Sequence, residues 1–215
     1  MEPEKTTTLQ ESYDRVAKHY VDQIFNELEH KPFDRALLDR LAESVRGSGP
    51  ICDLGCGPGQ VAQYLFGKGV DVFGIDLSSA MVEQALQLSP GIDFRQGDMM
   101  SLEDEADSWG GIAAFYSIIH IAREKMVDTL RELKRVLRPG GVMLLAFHVG
   151  QETIHRDEWW GEEVSIDFLM FGADEVGGYL NAAGFEVEET IERDPYPEIE
   201  YPSRRAYIFA RKPKT

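Results

Sequence analysis

Ile51-Cys52-Asp53-Leu54-Gly55-Cys56-Gly57-Pro58-Gly59 decides how the rest of the chain is read. An apolar run ends in an acid and then in three glycines spaced by one residue. The pattern predicts a buried strand that passes through a tight turn into a helix. Glycine-rich turns of this kind usually cradle a phosphate. Here the Asp53 carboxylate stands two residues before the first glycine, where it would repel one. The combination suits a ligand with a positively charged end.

The register of the glycines supports that reading. A dinucleotide fingerprint counted from Gly55 needs a glycine at position 60, which is Gln60. A Walker-type loop needs Gly-Lys-Ser/Thr after four residues, and that is absent. Neither phosphate motif is met. The glycines still permit tight turning and close approach of a ligand to the backbone.

Working outward, apolar spacing predicts helices over residues 12–28 and 34–46, the first with Tyr13, Val16, Ala17, Tyr20 and Ile24 on one face. Strand 51–54 leads to helix 59–67, strand 70–75 to helix 79–88, and strand 92–96 to an acidic loop. Strand 111–118, helix 123–137 and strand 142–148 follow, with Arg138-Pro139-Gly140-Gly141 as the turn between the last two. This alternation argues for a parallel sheet with helices on both faces. Such sheets bind ligands at the carboxyl ends of their strands. Asp53, Asp76, Asp98 and the Tyr116-to-His120 stretch all lie there, and fold stability does not demand acids at buried strand ends. Residues 149–172 read as mixed, with Trp159-Trp160 among six acids. A helix at 174–183 and strands at 185–192 and 205–211 close the chain, the two strands as an antiparallel pair at one edge.

The 215 residues fall in the range of one domain, and 43% apolar residues fill a substantial core. The expected division is an N-terminal helical cover (1–46), a ligand-binding core (51–148), a lid (149–172) and a C-terminal helix and hairpin (173–215). No apolar run is long enough for a membrane span, and the N-terminus lacks a signal-peptide pattern. Two cysteines, Cys52 and Cys56, make neither a disulfide framework nor a zinc site, so a cytoplasmic location and no metal are expected. The net charge of −16 works against nucleic-acid binding. Arg131, Lys134, Arg135 and Arg138 read as the solvated face of an amphipathic helix.

Taken together, the motifs resemble those of class I S-adenosylmethionine-dependent methyltransferases of the small-molecule type. Motif I matches Asp53 to Gly59. The acid of motif II is Asp76, in Gly74-Ile75-Asp76-Leu77-Ser78, with Met81 on the next helix. Motif III is Gly97-Asp98-Met99, and motif IV resembles Phe115-Tyr116-Ser117-Ile118-Ile119-His120. The post-motif turn is Leu137 to Gly141, and Tyr13-Asp14-x-x-Ala17-x-x-Tyr20 also recurs in the family. The resemblance implies a Rossmann-like, mostly parallel seven-stranded sheet and S-adenosyl-L-methionine as cofactor, with S-adenosyl-L-homocysteine as product. It places Asp53 toward the methionine ammonium and Gly55, Cys56, Gly57 and Gly59 around the turn. Asp76 takes the ribose hydroxyls, in charge-assisted bonds of roughly 1.5–3 kcal/mol each. Asp98 takes the adenine amine, Leu77 and Met99 sandwich the ring, and Tyr20 covers the methionine end. Met81, Gly97, Tyr116 and Ser117 complete the set.

The resemblance also implies methyl transfer by in-line displacement onto an oxygen or nitrogen of a small molecule. The cofactor brings the electrophile, so the protein mainly supplies position and desolvation. A hydroxyl or protonated amine acceptor is helped by a base, and His148 and His120 are the candidates. Motif IV lacks the Asn/Asp-Pro-Pro-Tyr/Phe pattern of enzymes acting on base amines or glutamine amides. A carboxylate cluster for metal-assisted catechol chemistry is absent there as well. Trp159-Trp160 suits either a lid packed on the core or a pocket for an aromatic or cationic group. A monomer or homodimer is expected. The alternative reading is a non-catalytic, regulatory S-adenosylmethionine-binding protein, which would need the same cofactor motifs.

Overall fold

A computed structural model describes residues 3–214, with side-chain surroundings from Leu9 onward. Seven strands form one sheet in the order β3-β2-β1-β4-β5-β9-β8. They are β1 (Ile51–Leu54), β2 (Val72–Asp76), β3 (Asp93–Gln96), β4 (Trp109–Phe115), β5 (Leu137–His148), β8 (Glu186–Arg193) and β9 (Arg205–Arg211). The first five pair in parallel, while β9 runs antiparallel to both β5 and β8. Chain direction across the sheet reverses between β1 and β4, so the strand ends there open into a crevice.

Helices α2 (Pro32–Ser44), α3 (Gln60–Gly67) and α4 (Ser79–Leu88) cover one side. Their apolar faces, with Leu38, Leu41, Val61 and Ala85, meet sheet residues Ile51, Leu144 and Phe209. On the other side α5 (Arg123–Val136) and α6 (Ala173–Ala183) bury Met126, Leu130, Leu133, Val176 and Leu180 against Leu54, Ile112 and Leu145. Being covered on both faces is why β1 is buried at every residue and reads as a continuous apolar run.

Several boundaries move. The first helix, α1, spans Pro3–Ile24 and not 12–28, and a one-turn 3-10 helix at Glu27–His30 follows it. The second begins two residues early because Pro32 fits the first helical turn, where its missing N–H costs nothing. Strand 111–118 is instead Trp109–Phe115, and Ile118–His120 forms a 3-10 turn. The predicted turn at 138–141 lies inside β5, where the register against β4 slips between Trp109 and Gly111.

Residues 149–172, which read as mixed, take a regular form. This segment is a second, two-stranded antiparallel sheet of β6 (Thr153–Trp159) and β7 (Glu162–Leu169). Trp160 and Gly161 form its tight turn, both with positive φ (53° and 84°), the backbone that matches hairpin twist. Val164 and Ile166 of β7 pack on Leu9, Val16 and Ala17 of α1. The pair α1 and β7 thereby roofs the strand ends.

Candidate functional site

The glycine turn is shaped by contacts on both sides. Gly55 has φ 71°, and a Cβ there would lie 2.4 Å from the Ser117 Cβ, so only glycine lets the β1 and β4 ends approach. At Gly57 a Cβ would meet nothing closer than Tyr20, at 3.7 Å; the space over this backbone is open to a ligand. Gly59 caps α3 and packs on Phe94, and it lines neither cavity described below.

A narrow cavity of about 90 Å³ lies over the strand ends. It brings together Gly55, Gly57, Asp76, Leu77, Met81, Gly97, Asp98, Met99, Tyr116, Ser117 and His120, with Tyr20 above. A wider cavity of about 310 Å³ adjoins it, lined by Asp53, Cys56, Gln60, Lys31, His148 and Arg205 among others. Tyr13, Tyr20, Gly55, Gly57, Phe115 and Tyr116 line both and mark the junction. Tyr116 holds a positive φ of 54° at that point, a costly conformation for a bulky residue that clusters at functional sites.

The acids differ in what holds them. Asp76 accepts from the Gly57 and Ser78 backbone N–H groups, each at 2.8 Å. Burial pushes its pKa up to about 6 against the pull of those bonds. Asp53 is 2% exposed and accepts from the Ala62 N–H at 2.9 Å. Burial, with the Asp76 charge adding to it, raises its pKa to about 7. Asp98 accepts from the Met100 N–H at 2.9 Å and faces the narrow cavity. Among the described residues no three His, Cys, Asp or Glu side chains converge as a metal site.

Both histidines stand at the cavities but are bound differently. His120 is held at 2.8 Å by the Tyr13 hydroxyl on Nε2 and at 3.0 Å by the Asp167 carbonyl on Nδ1. The carbonyl only accepts, so Nδ1 carries the proton and Nε2 accepts from Tyr13. His148 ends β5, and its Nδ1 lies 2.7 Å from the Ser203 hydroxyl. Nε2 of His148 has no protein partner among the described residues. Burial lowers both pKa values to about 4, with the Arg205 and Lys31 charges adding to the fall at His148. Each imidazole is therefore neutral and weakly basic at pH 7.

The roof is aromatic. Tyr20 packs edge-on to Trp159 and Trp160, and the two tryptophans stack with centroids 4.4 Å apart. Trp159 lines the wider cavity. Asp14 pins α1 to the start of α4 by accepting from the Ser78 hydroxyl at 2.6 Å and the Ala80 N–H at 3.1 Å. Tyr13, Lys31 and Arg205 also line these cavities; the sequence reading assigns no role to Lys31 or Arg205, and it marks Tyr13 only as a helix-face aromatic in the recurring Tyr13-Asp14-x-x-Ala17-x-x-Tyr20 pattern.

The donor set fits an S-adenosylmethionine better than a phosphate ligand. Acids stand near the ends of β1 and β2, no lysine or arginine among the described residues lines the narrow cavity, and the buried Ser117 and Tyr116 hydroxyls lack a hydrogen-bond partner among those residues. Burial raises the pKa of both carboxylates, and the Asp76 charge adds to the rise at Asp53; a cationic ligand relieves them. Asp53→Asn is expected to stabilise the ligand-free protein at pH 8 and to weaken cofactor binding. A folded pKa above the unfolded one means that stability falls as pH rises from about 4 to 7. The asparagine variant should lose that part of the slope in thermal melts at pH 5 and 8; an unchanged slope would remove Asp53 as its source.

A family model described as "Methyltransferase domain" matches residues 51–141. A malonyl-[acyl-carrier protein] O-methyltransferase of Enterobacter lignolyticus is 30% identical over 147 residues, 66% of this chain and 54% of that protein. The putative methyltransferase YqeM of Bacillus subtilis is 27% identical over 200 residues, 83% of this chain and 80% of its own length. The chain spans about half the length of the first of these and of several other curated relatives. Among solved structures, the DhpI–SAH complex superposes with a TM-score of 0.75 at 19% identity, covering 98% of each chain, which establishes a common fold.

Proposed function

We propose that this chain is a class I S-adenosylmethionine-dependent methyltransferase and that it methylates an oxygen or nitrogen of a small molecule held in the wider cavity. The observation that carries the reading is the junction of the two cavities at Tyr13, Tyr20, Gly57 and Tyr116. One cavity has the strand-end acids a nucleoside needs, and the other has room for an acceptor beside it.

The cofactor, when bound, supplies an electrophilic methyl group. Asp76 would hold the ribose hydroxyls and Asp98 the adenine amine, with Leu77 and Met99 against the ring. Asp53 and the open backbone at Gly57 would receive the methionine end. Tyr13, Tyr20 and Trp159 exclude water over the reacting centre, which strengthens every charge interaction beneath them. His148 offers Nε2 to the acceptor. His120 acts through Tyr13, since both of its nitrogens are engaged. With pKa values near 4, both serve as hydrogen-bond partners more readily than as proton sinks. The acidic surface suits a small-molecule acceptor and not a nucleic acid.

Calorimetry tests the cofactor half of the reading. S-adenosylhomocysteine should bind with micromolar affinity and NAD should not; the reverse order would sink it. Turnover of labelled S-adenosylmethionine in a metabolite extract tests the enzyme half. Binding without any label transfer would favour the regulatory alternative.

A further inference from the structure

One wall of the wider cavity is cationic in a chain that carries a net charge of −16, and it reaches the junction, where the Lys31 Nζ lies 5.4 Å from the centre of the Tyr116 ring. Lys31, Arg205 and Arg156 line it, contributed by the segment before α2, by β9 and by the β6 strand of the hairpin. The acids beside them are already engaged. Glu200 accepts from Arg193 at 2.7 and 2.9 Å and from the Tyr196 N–H at 2.7 Å. Lys31 and Arg205 also lie against it, at 3.6 and 3.3 Å. Glu27 is taken by Lys31 at 2.5 Å and by the Gln60 side chain at 3.2 Å. Arg156 forms no ion pair among the described residues.

Donors are left over along this wall. The Arg205 Nε–H lies near Glu200 but off the hydrogen-bond direction, and it has no acceptor. The Tyr116 hydroxyl sits near Tyr207, whose own hydroxyl is committed to Asp34 and Arg193, and it has none either. Unmatched buried donors are costly, and an anion supplies the missing acceptors. Much of the remaining lining is apolar, with Ile154, Trp159, Phe168 and Met170 from the hairpin side and Ile199 from the loop before β9. Asp53, Gln60 and His148 are further polar groups of the lining. An ammonium placed here would face Lys31, Arg205 and Arg156, and a neutral alcohol would leave the charge of Arg156 unanswered.

We propose that the methyl acceptor is a carboxylic acid with an apolar body, held at Lys31, Arg205 and Arg156, and that its carboxylate is the atom group methylated. The inference rests on the methyltransferase reading above. In the step, a carboxylate oxygen lone pair forms the new C–O bond. The C–S bond breaks and its electron pair stays on sulfur, so that a methyl ester and a neutral thioether result. No proton moves, which agrees with two histidines that are weak bases at pH 7. Relief of the cation cluster by the carboxylate supplies orientation.

The test uses the full chain loaded with S-adenosylhomocysteine and a matched series: octanoate, octanol and octylamine, then 3-phenylpropanoate with its alcohol and amine. Each carboxylate should bind at least about tenfold more tightly than its partners, as expected for a charge-assisted contact. Arg156 is exposed, so Arg156→Glu leaves the fold intact; it should weaken the carboxylates about fivefold or more and leave the alcohols unchanged. With labelled S-adenosylmethionine, label transferred to octanoate or 3-phenylpropanoate should be released as methanol by mild alkali, as esters are. Equal or tighter binding of the amine or alcohol, or alkali-stable label on either, overturns the proposal while S-adenosylhomocysteine still binds. Loss of S-adenosylhomocysteine binding itself overturns the methyltransferase reading instead.

Discussion

Asp76→Asn is expected to weaken S-adenosylhomocysteine binding by about 10- to 100-fold, the range of one charge-assisted hydrogen bond lost from a buried site. Asp76 does two jobs at the end of β2. Its two oxygens accept from the Gly57 and Ser78 N–H groups, which fixes the glycine turn against the start of α4. It also presents its charge to the narrow cavity. An asparagine keeps one acceptor oxygen and turns an NH₂ toward the other backbone donor, so the turn loosens as the charge disappears. The pH profile separates the two effects. With a pKa near 6 in the ligand-free protein, the wild-type carboxylate is protonated below that pH and must ionise to accept from ribose hydroxyls. Its affinity should therefore rise between pH 5.5 and 7.5 and then level. The asparagine variant should lack the Asp76 part of that rise, leaving only what Asp53 contributes. Calorimetry across this range reads it. An affinity within twofold of wild type at pH 7.5 would remove Asp76 from the site.

The parallel core was legible because its signals are local. A strand buried on both faces is a continuous apolar run, a helix has its own period, and the acids at 53, 76 and 98 each follow such a run. The seven-stranded arrangement observed here was expected for those reasons and from the family resemblance. The hairpin was harder. On β6 only Ile154 and Trp159 are partly buried while the remaining residues are exposed, so alternation is diluted by charged residues. Its partner carried a readable signal, Val164, Ile166 and Phe168 at a spacing of two, ahead of which stands the Trp160-Gly161 turn. Glu162, Glu163 and Asp167 stand between and beside these residues, so 149–172 as a whole reads as mixed. The acceptor end was illegible for another reason. Lys31 and Arg205 lie at opposite ends of the chain and meet only because β9 inserts beside β5. No periodicity links them. Tyr13 was visible as a helix-face aromatic, but its bond to His120 spans 107 residues and leaves no trace in local pattern.

Glu200→Ala is expected to cost about 3–5 kcal/mol of stability, the loss typical when one member of a buried charge cluster is removed. The Glu200 side chain has no exposed surface. It is the common partner of Arg193, Arg205 and Lys31, which are themselves 13%, 3% and 8% exposed. Deleting the carboxylate leaves three cations with only Asp34 and Glu27 to answer them. The desolvation already incurred by those cations is then uncompensated, and that penalty, more than the lost attraction, sets the size of the effect. For a chain of this length the melting temperature should drop by roughly 6–20 °C. Arg131→Ala is the matched control. Its pair with Asp128 is exposed on both sides, and its loss should stay within about 0.5 kcal/mol. The sign with pH follows from the direction of the Glu200 shift. Arg193 and the Tyr196 N–H hold its pKa down at about 2 in the folded chain, against the burial that raises it. Its stabilisation is then present above the unfolded value near 4.5 and is lost as pH falls toward 2. Urea unfolding of the wild type between pH 6 and 3 should show this decline, and Glu200→Gln should flatten it. A Glu200→Ala protein within about 1 kcal/mol of wild type would mean that the cations escape to water or that a neighbouring acid moves in. The cluster would then not be the rigid cationic wall that an anionic acceptor requires, so this stability measurement also bears on the substrate assignment.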